Sequence, residues 1–125
     1  MFKVITAIVI DDDVDTVGVF CEYLKILKVR VVGRGYNGDS AVKLYVEKRP
    51  DIVFLDLMMP EPYDEFYALE NIRKIDPDAH VIIITADLRK DSEQRLENLK
   101  PNKILFKPFD IDAIVDAVEK FRNNK

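Results

Sequence analysis

Short apolar runs alternate with amphipathic stretches along this chain. Residues 4–10 read as a first strand and residues 14–27 as a helix, because Val17, Phe20, Cys21, Leu24 and Leu27 recur at helical spacing. Asp13 stands where an N-cap is wanted. Residues 30–36 form a weaker second strand carrying two glycines, and Gly38-Asp39-Ser40 opens a second helix with Ala41, Leu44 and Tyr45 on one face. Residues 51–55 are a third strand, apolar almost throughout, as a strand covered on both faces should be. A third helix spans 64–75 with Tyr67, Ala68, Ile72 and Ile75 on its apolar side, and Pro77 closes it. Val81-Ile82-Ile83-Ile84 is a fourth strand, and residues 89–99 are a polar helix stopped by Pro101. Residues 103–106 form a fifth strand, and Asp110 caps a last helix over 111–121. Ile111, Ile114, Val115, Val118 and Phe121 make its stripe, and the polar tail 122–125 is expected to fray. Five strand–helix units with short connections predict an α/β fold: a five-stranded parallel sheet with helices on both faces.

Composition narrows this further. With 125 residues there is room for one domain and a core that needs no disulfide. Net charge is −4 with no basic stripe, which argues against direct nucleic-acid binding. Cys21 is the only cysteine, so an internal disulfide is excluded and a reducing, cytoplasmic setting is expected. No signal peptide and no apolar run of membrane-spanning length is present, so no membrane insertion is expected.

The chemistry gathers at strand ends. Asp11, Asp12 and Asp13 follow the first strand, Asp56 the third, Thr85 the fourth and Lys107 the fifth. In an open α/β sheet, ligands bind at the carboxyl ends of the strands. Clustered carboxylates repel and raise each other's pKa. A chain that tolerates them there is expected to use a cation, and oxygen ligands favour Mg²⁺. Carboxylates, a hydroxyl and a fixed cation suit phosphoryl transfer, in which charge is neutralised around an in-line nucleophile. Aspartate is an established phosphoryl acceptor.

In their order and separation, four segments resemble the receiver domain of two-component response regulators, a (βα)5 flavodoxin-like fold. They are Ile8-Val9-Ile10-Asp11-Asp12-Asp13, Asp56-Leu57-Met58-Met59-Pro60, Ile84-Thr85-Ala86 and Phe106-Lys107-Pro108-Phe109. The resemblance covers essentially the whole chain. It implies one receiver domain over 1–125 with no output domain attached. It also implies that Asp56 is the phosphoacceptor, charged by a sensor histidine kinase or a histidine phosphotransfer protein. Asp12, Asp56 and the Met58 backbone carbonyl would bind Mg²⁺ directly, and Asp11 through water. Thr85 would hydrogen-bond the phosphoryl group and Lys107 would pair with it. The Lys107–Pro108 bond is often cis in this family. The output would pass to a separate effector protein, or phosphate would move onward in a phosphorelay, and a homodimer formed on activation is compatible with the resemblance. The protein would be a phosphoprotein switch with weak self-phosphatase activity rather than an enzyme.

Three segments depart from the family pattern. Glu61-Pro62-Tyr63-Asp64-Glu65 replaces a shorter turn that carries glycine. Ile104 stands where an aromatic usually reorients on activation. Lys100-Pro101-Asn102 replaces a pair of small residues.

Other residues have plainer readings. Asp13 is an N-cap rather than a ligand, and Asp15 and Asp64 are helix starts that favour the macrodipole. His80, the only histidine, has a surface or loop role. Cys21 is a small buried hydrophobe; Tyr63, Phe66 and Tyr67 are candidate docking residues, with core packing the alternative for Phe66 and Tyr67. A haloacid-dehalogenase-type phosphatase also begins Asp-x-Asp, but the chain leaves little room for its cap. A pseudo-receiver is disfavoured by the intact acidic, hydroxyl and lysine set. A flavodoxin is disfavoured because no Ser/Thr/Gly-rich phosphate loop follows the first strand.

Overall fold

The computed structural model describes residues 4–57, 66–86 and 90–123. In chain order the elements are β1 (Thr6–Ile10), α1 (Val14–Ile26), β2 (Arg30–Gly35), α2 (Gly38–Lys48), β3 (Ile52–Asp56), α3 (Tyr67–Ile75), β4 (Val81–Thr85), α4 (Lys90–Leu99), β5 (Lys103–Phe106) and α5 (Ile111–Asn123). The strands pair in parallel in the order β2-β1-β3-β4-β5. The expected α/β sheet covered by helices on both faces is therefore the fold.

Strand alternation sorts the core into two layers. Ala7, Val9, Phe54, Ile82, Ile84 and Leu105 face α1 and α5, where Phe20, Leu24, Ile114 and Val118 meet them. Ile8, Ile10, Val53, Leu55, Val81 and Ile83 face α2, α3 and α4, where Tyr45, Leu69, Ile72 and Leu96 meet them. Every residue of β3 and β4 is buried, which is why both segments read as unbroken apolar runs.

The weak second strand has a steric cause. A Cβ on Gly35 would lie 2.7 Å from Ile10 Cδ1 and 3.2 Å from Ser40 Cβ, so α2 can lie this close only over glycine. The β1–β2 register also shifts between Ala7 and Ile8, passing over Val32.

Several boundaries move. β1 begins at Thr6 rather than residue 4, β3 moves one residue on to run from Ile52 to Asp56, and β4 takes in Thr85. α5 extends to Asn123, so Arg122 belongs to the helix, with its guanidinium on Glu119 and on the Leu27 carbonyl. α3 is seen from Tyr67; Tyr63, Asp64 and the rest of the altered turn lie outside the described residues.

Candidate functional site

The chain steps from β1 outward to β2, then back across to β3 on the other side of β1. At such a reversal the connections leave in opposite directions and open a crevice at the carboxyl ends of the two central strands. β1 pairs with β3 up to Ile10↔Leu55, so continuing the register brings Asp11 beside Asp56. Alternation puts Asp11, Asp56 and Lys107 on the α1/α5 side, the parity of Val9, Phe54 and Leu105.

The three successive aspartates do three different things. Asp11 is 4% exposed; its Oδ1 accepts the Asp13 N–H at 3.0 Å and its Oδ2 accepts from Lys107 Nζ at 2.9 Å. Asp12 is exposed at the mouth of the crevice. Asp13 caps α1 by accepting from Asp15 N at 3.1 Å and Thr16 Oγ1 at 2.8 Å. The Thr16 hydrogen bond holds the Asp13 carboxyl below the usual range.

Asp56 closes β3 and is 3% exposed. Lys107 Nζ lies 3.4 Å from its Oδ2, so one ammonium spans both buried carboxylates. Partial burial disfavours that ammonium, but the hydrogen bond to Asp11 and the charges of Asp56 and Asp11 outweigh it and raise the Lys107 pKa. The Lys107 N–H also donates to the Thr85 carbonyl at 2.8 Å, which ties the turn after β5 to the end of β4. Thr85 is fully buried. The Lys107–Pro108 peptide is cis.

Asp11, Asp12 and Asp56 each offer an oxygen within 4.8 Å of the others. Partial burial, a hydrogen bond to Asp11 and the Asp11 charge together raise the Asp12 pKa, against the weaker pull of Lys107. Three hard oxygen donors against a single ammonium leave net negative charge, which fits a divalent cation such as Mg²⁺. Met58, whose carbonyl the family resemblance assigned to the metal, lies outside the described residues.

Asp11, Asp12, Asp56 and Lys107 thus converge, and Thr85 stands beside them as the last residue of β4. Residues 7–119 match the sequence model of the response regulator receiver domain. The chain belongs to the response regulator receiver family. Over 85 residues it is 39% identical to sporulation initiation phosphotransferase F of Bacillus subtilis, covering 68% of each chain. Over 90 residues it is 39% identical to the chemotaxis protein CheY of Listeria monocytogenes, covering 72% of this chain and 75% of that one. A chain of the CheX–CheY–BeF3–Mg²⁺ complex from Borrelia burgdorferi superimposes with a TM-score of 0.84 at 25% identity, over 93% of this chain and 87% of that one. A CheY-like receiver from Methanospirillum hungatei gives a TM-score of 0.88 at 15% identity, over 97% and 96% of the chains, a likeness of fold alone. This receiver is therefore a CheY-like phosphoacceptor domain of two-component signalling.

The remaining sequence candidates fall into structural places. Phe66 is core at 2% exposure, and Tyr67 packs its ring 3.2 Å from where a Gly38 Cβ would sit. His80 packs edge-on against Phe121 at 4.9 Å. Cys21 is buried, and its thiol pKa is pushed up by burial. Ile104 is half-buried against the layer that holds Leu96 and Leu99.

The sequence missed Arg73. It donates from Nε to the Leu99 carbonyl at 3.0 Å, and from its terminal nitrogens to Lys100 O at 2.8 Å, Asn102 Oδ1 at 3.1 Å and Ala79 O. From α3, Arg73 thus closes the end of α4. Arg95 reciprocates from α4, pairing with Glu70 and lying 4.7 Å over the Phe66 ring.

Proposed function

We propose that Asp56 accepts a phosphoryl group from a sensor histidine kinase or histidine phosphotransfer protein, in a Mg²⁺-dependent step, and that the added charge switches a partner-binding surface. The observation that carries this reading is one lysine spanning two buried carboxylates, with a third carboxylate exposed beside them. In the step, an Asp56 oxygen attacks phosphorus, the P–N bond to the donor imidazole breaks, and the imidazole leaves with the bonding pair. Asp56 becomes an acyl phosphate; hydrolysis later returns carboxylate and inorganic phosphate.

Asp12 and Asp56, with the Met58 carbonyl, would hold Mg²⁺. Asp11, whose oxygens accept from the Asp13 N–H and from Lys107, would act through water, as the family resemblance implies. When bound, the ion supplies positive charge beside the phosphoryl oxygens. Lys107 needs only to lean from Asp11 toward Asp56 to pair with the new group, and the Thr85 hydroxyl would donate to it. Because Lys107 N–H holds the Thr85 carbonyl, movement of either residue is felt at β4 and β5 together.

Residues 1–125 act in this reading as a single cytoplasmic receiver domain with weak self-phosphatase activity. Its output goes to a separate effector protein or to a homodimer formed on activation, through α4, β5 and the start of α5. Labelling with acetyl phosphate in Mg²⁺ should stop at one phosphoryl group per chain. Continuous turnover of a generic phosphate ester would instead favour a phosphatase.

A further inference from the structure

Lys107 reaches Asp11 and Asp56 from a turn, not from a strand interior. On one side that turn is fastened to β4 by the bond from Lys107 N–H to the Thr85 carbonyl. On the side of α1 it meets a row of rings. Phe109, two residues after Lys107, meets Phe20 edge-on with centroids 5.6 Å apart. Phe20 in turn lies 4.9 Å from Phe54, which precedes Asp56 by two residues on the same face of β3. The row runs from beneath the acceptor carboxylate to the turn that bears the lysine. Phe20 is 2% exposed and locked in the core, whereas Phe109 is only half-buried.

Outside the two rings is a hollow of about 300 Å³, lined by Asp15, Thr16, Val19, Phe20, Tyr23 and Phe109. It leaves Phe109 room to swing outward were its contact with Phe20 lost.

We propose that Phe20 and Phe109 are positioning residues for the phosphoryl-accepting site: Phe20, backed by Phe54, fixes the turn that holds the Lys107 amine at Asp56. This rests on the reading that Asp56 accepts the phosphoryl group. Edge-on ring contacts of this spacing are geometrically selective, so an aliphatic side chain does not reproduce them. A displacement of about 1 Å at a charge-stabilising group costs rate on the scale of tens to a hundred-fold.

The test is the initial rate of labelling by acetyl phosphate in Mg²⁺, followed by intact mass, in the 125-residue chain. The variants are Phe109→Ala, Phe109→Tyr, Phe20→Leu, Lys107→Ala and the double variant Phe109→Ala/Lys107→Ala. Phe109→Ala and Phe20→Leu are expected to label about tenfold more slowly than the parent, and Phe109→Tyr to label like it. In the Lys107→Ala background, Phe109→Ala should add no further slowing, because the lysine it positions is gone. The proposal is overturned if Phe109→Ala labels at the parent rate, or if it slows both backgrounds equally, which marks a purely structural role. Phe20→Leu reads the same coupling from the α1 side while keeping an apolar side chain in the core. Absence of labelling in the parent would instead overturn the acceptor reading, and this one with it.

Discussion

The Lys107 ammonium lies closer to Asp11 than to Asp56, 2.9 Å against 3.4 Å. It rests on Asp11, the neighbour of Asp56, already paired and aligned. Lys107→Ala is therefore expected to accept a phosphoryl group, more slowly, and to lose most of the conformational response. Amide spectra of the beryllofluoride complex check this: an unchanged shift in the variant would remove Lys107 from the switching role. The unliganded variant should also be less stable by about 2 kcal/mol, since two buried carboxylates lose their cation. Mg²⁺ should recover part of that loss by linkage.

Asp12 and Asp56 are expected to carry the metal affinity. Asp12→Ala should weaken Mg²⁺ binding measured by calorimetry; equal affinity would contradict the ligand assignment. The metal needs deprotonated oxygens, and the Asp12 pKa is raised by partial burial and by Asp11. Binding should therefore fade, as pH drops, at a higher pH than an ordinary aspartate would give.

Far from the crevice, the Tyr45 hydroxyl donates to Asp76 Oδ2 at 2.7 Å, joining α2 to the end of α3. That bond holds the Asp76 carboxyl below the usual range, while burial and Asp76 push Tyr45 up to about 12. The lowered Asp76 pKa gives stability that is present above the ordinary carboxylate range and lost as pH falls through the lowered value. The raised Tyr45 pKa gives stability present below about 10 and lost as pH rises toward 12. Tyr45→Phe should cost about 1 kcal/mol at neutral pH. The gap to wild type in urea melts should narrow at both extremes.

Lys100 takes a left-handed conformation, φ 50°, just after α4, where glycine would be unstrained. Arg73 gathers the carbonyls of Leu99 and Lys100 there. Lys100→Gly is expected to stabilise the fold by up to about 1 kcal/mol, and Arg73→Ala to cost about 2 kcal/mol, both read by chemical denaturation.

Strands β1, β3, β4 and β5 were legible because each pairs an apolar run with a polar stop, and the site because those stops are chemically unusual. Asp56 and Thr85 turned out to be the last residues of their strands rather than the first beyond them, a shift of one position that leaves their chemistry unchanged. The sequence showed α4 only as a polar helix, and its apolar contacts are few, with Leu96 buried and Leu99 partly buried. Its other fastenings, Arg73 and Arg95, were invisible. An arginine on a helix face has the same local pattern whether it meets water or a set of carbonyls many residues away. The Phe20–Phe109 contact was hidden for the same reason: it joins α1 to a turn near the other end of the chain.

The central claim is that Asp56 is the acceptor. Intact-mass measurement after incubation with acetyl phosphate and Mg²⁺, on wild type and Asp56→Asn, tests it most directly. One added phosphoryl group on wild type and none on Asp56→Asn is the predicted result. The same added mass on Asp56→Asn would contradict the account.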